Sequence, residues 1–80
     1  MEQESGEMNM SNYPLAPEYV LDNLDSLRKL RRAMKWGMKH VARLANMELN
    51  YYDQIEQGYI FPSRSDYNDL AKVFDWEEWK

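Results

Sequence analysis

From Val20 onward the apolar side chains of this 80-residue chain return every three or four positions, and that period restricts its fold more than any other feature. Val20, Leu21, Leu24, Leu27, Leu30 and Met34 fall along one stripe of a helix. A strand would need apolar residues at every second position, and no segment alternates in that way. The chain therefore reads as all-α.

The breaks in the period mark where helices begin and end. Pro17 suits a first helical turn, where its missing N–H costs nothing, so the spacing predicts a first helix over about residues 18–35. Gly37 can cap a second, short helix that buries Val41, Ala42, Leu44 and Ala45. Asn46 tolerates the left-handed backbone of a helix stop, and Met47 points inward from the turn. A third helix spans about residues 49–57, buries Tyr52 and Ile55 and ends at Gly58. After Pro62, Ser63 and Asp66 have capping-box spacing. They open a fourth helix over about 64–74, which buries Tyr67, Leu70, Ala71 and Phe74, with Trp76 and Trp79 closing the core. Residues 1–16, polar and without period, read as a flexible or arm-like tail, and residues 17–80 as one domain.

Composition narrows the function. The chain has no cysteine, which removes disulfides and thiolate metal sites and suits a reducing, cytoplasmic interior. No apolar run approaches a membrane span. His40 is the only histidine and adjoins Lys39 in a basic helix, where a surface role suits it better than base or ligand. Calcium-loop spacing, a glycine-rich phosphate loop and a nucleophile motif are all missing. A non-enzyme without cofactor or metal is expected.

The net charge of −4 hides a strong segregation. Residues 1–26 hold six acids and no base, residues 27–46 seven bases and no acid, and residues 47–80 eight acids against three bases. A basic block between two acidic ones is either a solvated helix face or a supply of attraction for phosphate. The third helix complicates this, because Glu48, Asp53 and Glu56 make it acidic.

Several motifs at fixed spacing add a resemblance. The stretch "LRKLRRAMKWGMKHVARLANMELNYYDQIEQGYIFPSRSDYNDLAKVF" (Leu27 to Phe74) is similar, without a gap, to the Xre/Cro/repressor helix-turn-helix family. "LRKLR" resembles that family's first-helix signature and "VARLA" its second helix, with the characteristic alanine at Ala42. "IEQG" followed by Pro62 resembles the end of its third helix, and "LAKVF" its fourth. The resemblance implies a lambda-repressor-like domain of four to five helices that binds double-stranded DNA as a sequence-specific transcriptional regulator, a repressor by preference. Small family members are frequent in phages and mobile elements. It also implies a homodimer, for which Tyr19, Val20 and Leu21, or Trp76 and Trp79, are the available apolar surfaces, and regulation by concentration or by a partner protein.

Carried over by position, the resemblance makes Leu49, Asn50, Tyr51, Asp53 and Gln54 the outward residues that meet base edges in the major groove. Asn50 and Gln54 lie one turn apart and carry amides able to pair with adenine, while Asp53 can accept from cytosine N4. Lys35, Lys39, Arg43, Tyr59 and Arg64 are the implied phosphate contacts. Where the family opens its second helix with Ser or Thr and then Gln, this chain has Gly37 and Met38, which leaves the contact to Lys39 and Arg43. Arg31 and Glu56 occupy positions that in the family form a structural ion pair between first and third helices. The alternative, of another class, is a protein–protein interaction module, antirepressor- or antitoxin-like, that uses the acidic third helix and the Tyr59/Phe61 loop.

Overall fold

The computed structural model describes residues 16–80, and the segment 1–15 of the expected arm lies outside the described residues. Among the described residues five helices follow in order: α1 (Glu18–Asp25), α2 (Leu27–Ala33), α3 (Met38–Leu44), α4 (Leu49–Glu56) and α5 (Arg64–Phe74). There is no strand among the described residues. Ala16, assigned to the arm by sequence, is buried with Val20, Tyr67 and Ala71.

The single first helix expected over 18–35 is two helices. Ser26 breaks it, with φ −96° and ψ 3°, although Ser26 N–H still donates to Asp22 and Asn23 and its carbonyl accepts from Leu30. The reason lies in what each half must cover. Val20 of α1 packs with Tyr67 and Ala71 of α5, and Asn23 Nδ2 donates to the Tyr67 hydroxyl at 2.8 Å. Leu27 of α2 instead joins Val41, Ala42, Ala45, Tyr52, Ile55 and Leu70 in the main core. One straight helix cannot turn its stripe toward both clusters. The bend also leaves Leu21 and Met34, expected on the buried stripe, exposed. Leu44 is exposed as well, because Val41, Ala42 and Ala45 already fill the buried arc of α3.

α2, α3, α4 and α5 end alike. Each is followed by a residue with left-handed backbone, namely Lys35 (φ 62°), Asn46 (φ 59°), Gly58 (φ 84°) and Asp75 (φ 60°). The next N–H then reaches back to the carbonyl five residues earlier: Trp36 to Arg31, Met47 to Ala42, Tyr59 to Gln54 and Trp76 to Ala71. This is the Schellman closure, which satisfies orphan carbonyls and brings the residue after the left-handed one toward the helix. Trp36, Met47 and Trp76 use it to pack against the core, whereas Tyr59 is 76% exposed. Lysine is the least suited of the four to a left-handed backbone. Lys35→Gly is therefore expected to raise stability by about 0.5–1 kcal/mol, the relieved strain exceeding the extra entropy of glycine in the unfolded chain. A urea midpoint equal to or below that of the parent would refute this.

At the start of α5 the Ser63 hydroxyl accepts from Asp66 N–H at 3.1 Å, one half of the capping box. Beyond α5 the chain folds back, and Asn68 clamps it by accepting from Trp79 N–H (2.7 Å) and donating to the Trp79 carbonyl (3.1 Å). Tyr19 adds a hydrogen bond from its hydroxyl to the Glu78 carbonyl at 2.7 Å. Of the apolar residues considered for dimerisation, Val20 is fully buried and Trp76 and Trp79 pack against Tyr67, whereas Leu21 is exposed.

Candidate functional site

Two helices joined by a tight turn, α3 and α4, carry most of the candidate residues, and a buried polar network fixes how α4 sits against α2. Arg31 donates to Glu56 twice, from Nε to Oε2 at 2.8 Å and from Nη2 to Oε1 at 2.9 Å. Its Nη1 donates to the Trp36 carbonyl at 2.9 Å, which ties the turn before α3 into the same cluster. Tyr52 donates to Oε2 at 2.6 Å, and Arg28 to Oε1 at 3.3 Å. The Glu56 side chain is 1% exposed and that of Arg31 11%, so this is a nearly dry, bidentate pair. A carboxylate at the C-terminal end of α4 opposes the helix dipole, and these donors offset that opposition.

The network holds Arg31 and Glu56 charged and Tyr52 neutral in one arrangement. Glu56 sits below the usual carboxylate range: burial works to raise it, but hydrogen bonds from Arg31, Tyr52 and Arg28 and the charge of Arg31 outweigh burial. The hydrogen bond to Glu56 leads the effects that raise Arg31. Burial, followed by the bond to Glu56 and its charge, pushes the Tyr52 hydroxyl up. All three are locked in the protonation states that keep the bonds intact at neutral pH.

α4 presents its residues unequally. Leu49 and Asn50 open the helix and are exposed, Leu49 at 43%. Asp53 and Gln54 are half-buried, and Asp53 accepts a long hydrogen bond of 3.4 Å from Gln57. Tyr51 departs from the role expected for it. Its hydroxyl donates to Asp66 of α5 at 2.5 Å, and that bond, with burial and the carboxylate charge, pushes the hydroxyl up to about 12. Its polar tip is thereby bound within the fold instead of offered to a base edge.

Lys39 and Arg43 are exposed on one side of α3, one turn apart. With Ala42, the turn residues Asn46, Met47 and Glu48, and Leu49 at the head of α4, they line a groove of about 470 Å³. Two cations, an amide, a carboxylate and an exposed leucine therefore converge where α3 meets α4. Glu48, the N-cap residue of α4, makes no side-chain capping bond. Its acidity in this groove is offset by the two flanking bases.

The other expected phosphate contacts do not join this groove. Lys35 is exposed in the turn between α2 and α3. Arg64 is drawn to the C-terminal fold-back, its guanidinium 5.2 Å from the centre of the Trp79 ring, an energetically useful cation–π placement. Tyr59 stands exposed in the loop after α4, beside a different groove.

Three contributors escaped the sequence reading. Trp36 supplies the carbonyl that binds Arg31, and its ring lies between His40 (5.2 Å) and Phe74 (5.9 Å). Its position two residues after Met34 carries a signal only if Lys35 is recognised as left-handed. Asp66 looks like a capping residue in the sequence, yet its carboxylate also binds Tyr51. Asn46, read as a helix stop, also lines the groove. Among the described residues, no three His, Cys, Asp or Glu side chains cluster to hold a metal ion, and no helix is long and apolar enough to cross a membrane.

Comparison with protein-family models, curated proteins and solved structures finds no match.

Proposed function

We propose that the chain is a sequence-specific DNA-binding transcriptional regulator of helix-turn-helix type, most simply a repressor, acting in the cytoplasm without enzymatic activity or cofactor. The observation that carries this reading is the α3–α4 groove, where exposed Lys39 and Arg43 flank the exposed head of α4 with Leu49 and Asn50. Cations on one helix and amides on the next divide labour as major-groove recognition requires, phosphate contacts positioning and base contacts specifying. Asn50 and Gln54, on one face of α4, read adenine. Leu49 touches a thymine methyl, and Asp53 accepts from cytosine N4. Lys35, Lys39 and Arg43 supply the attraction that an acidic α4 cannot, and the Arg31–Glu56 pair holds the presentation angle of α4 without touching DNA. A homodimer would place two such helices on half-sites about one helical turn apart.

Selection of bound duplexes from a random pool at near-physiological salt tests the reading directly. The expected product is a palindrome with half-sites about one turn apart. Asn50→Ala and Gln54→Ala should relax the preference at single positions by about 1–3 kcal/mol. Lys39→Ala and Arg43→Ala should instead weaken all duplexes alike, each lowering the salt slope by about one. A folded protein that enriches no sequence would end the DNA reading.

A further inference from the structure

A second groove lies at the opposite end of α4, between α1 and the loop that leads to α5. Leu21, Leu24, Ile55 and Ile60 give it an apolar part, Asp22 and Asp25 of α1 with Glu56 and Gln57 of the α4 end give it a polar one, and the open groove has a volume of about 430 Å³. α1 holds three acids and no base; Glu56, which also lines the groove, is paired with Arg31 and Arg28, so among the described residues Asp22 and Asp25 are the carboxylates left unpaired there. The lining charge here, Asp22 and Asp25, is therefore opposite in sign to the Lys39 and Arg43 of the α3–α4 groove.

Tyr59 is the second observation. It lies between Gly58 and Ile60, both of which line this groove. It occupies the position after a left-handed residue from which Trp36, Met47 and Trp76 turn into the core, yet it is 76% exposed. A large aromatic left in water at the edge of a groove with an apolar part is the kind of anchor that protein interfaces bury.

We propose that this groove docks a basic amphipathic segment of a partner protein, with apolar side chains entering between α1 and the loop and lysine or arginine meeting Asp22 and Asp25. Charge complementarity selects the occupant: an acidic segment or a nucleic acid would place like charges together, and a purely apolar one would leave the two carboxylates facing it. A helix with leucine on one face and lysine beside it satisfies both halves of the groove. The site stands apart from Lys39, Arg43 and Asn50, so its failure would leave the DNA proposal untouched.

The test titrates the whole chain into a labelled synthetic peptide of leucine and lysine at helical spacing, with fluorescence anisotropy at near-physiological salt. Binding is expected, and it should weaken about tenfold or more in the Asp22→Asn/Asp25→Asn double variant and again in Tyr59→Ala. All three residues are exposed, so the variants should melt as the parent does. A peptide with serine for leucine should bind at least about tenfold more weakly, and one with glutamate for lysine not at all. In NMR spectra the shifted amides should include Asp22, Gln57, Gly58 and Ile60. No binding, equal affinity in the variants, or shifts centred on α3 would overturn the proposal. So would a dimer, seen by sedimentation, that Tyr59→Ala abolishes, since the groove would then belong to a second copy.

Discussion

Glu56→Ala is expected to lower stability by about 3–5 kcal/mol, because it strands the Arg31 guanidinium and the Tyr52 hydroxyl in a nearly dry site. In a domain this small that corresponds to a melting temperature at least about 12 °C lower, read by circular dichroism. Arg31→Ala should act comparably, since it leaves a carboxylate 1% exposed without its bidentate partner. The paired replacement Arg31→Met/Glu56→Leu should recover much of the loss, as apolar side chains of similar volume avoid desolvating two charges. A loss below about 1 kcal/mol in Glu56→Ala would mean that the network contributes no more than a surface pair.

The same residue sets a pH dependence. Glu56 is held below its ordinary range in the folded chain, so the unfolded chain binds the proton first as pH falls. Its contribution is therefore complete above the ordinary glutamate value and drains away as pH drops through the lower folded value, while Arg31 stays charged throughout. Urea midpoints should be level near neutrality on this account and fall on acidification, with a shallower fall in Glu56→Gln. Identical acid profiles for parent and variant would assign the acid sensitivity elsewhere.

Trp76→Ala is expected to cost about 3 kcal/mol, the lower end for a large aromatic truncation because the ring is only half-buried. The ring stacks on Tyr67 with centroids 5.6 Å apart and on Phe74 at 5.1 Å. It packs against both the Leu27–Leu70 cluster and the Val20–Tyr67 cluster, so its removal opens the seam between them. The backbone of Trp76 also closes α5 through Ala71, and alanine would keep that bond, which isolates the side chain as the cause. A melting temperature within about 4 °C of the parent would show that the two clusters cohere without it.

Local chemistry was legible wherever one residue type decides the backbone. Asn46, Gly58 and Ser63 act within one turn of themselves, and each sits where its own conformational preference puts it. The period of three and four likewise located Leu27, Val41, Tyr52, Ile55, Tyr67 and Leu70 in the interior. Lys35 and Asp75 were not legible as left-handed, because nothing in lysine or aspartate demands that conformation; Trp36 and Trp76 impose it by packing inward. The candidate site was partly legible for the same reason. The bases Lys39 and Arg43 stand out as charges, but that they share a groove with Leu49 depends on the angle between α3 and α4.

By itself, then, the sequence determined the helical class, the stops at Asn46 and Gly58, the start of α5 and which charges lie near one another along the chain, since those follow from preferences acting over a few residues. The tertiary structure alone decided the break at Ser26, the capture of Tyr51 by Asp66, the exposure of Leu21 and Tyr59 and the opposite charge of the two grooves. A helical period gives the direction of a stripe and not its neighbour, and two clusters on different sides of α5 compete for the stripes available. The burial that satisfies both clusters bends one helix, turns one tyrosine inward and leaves another in water.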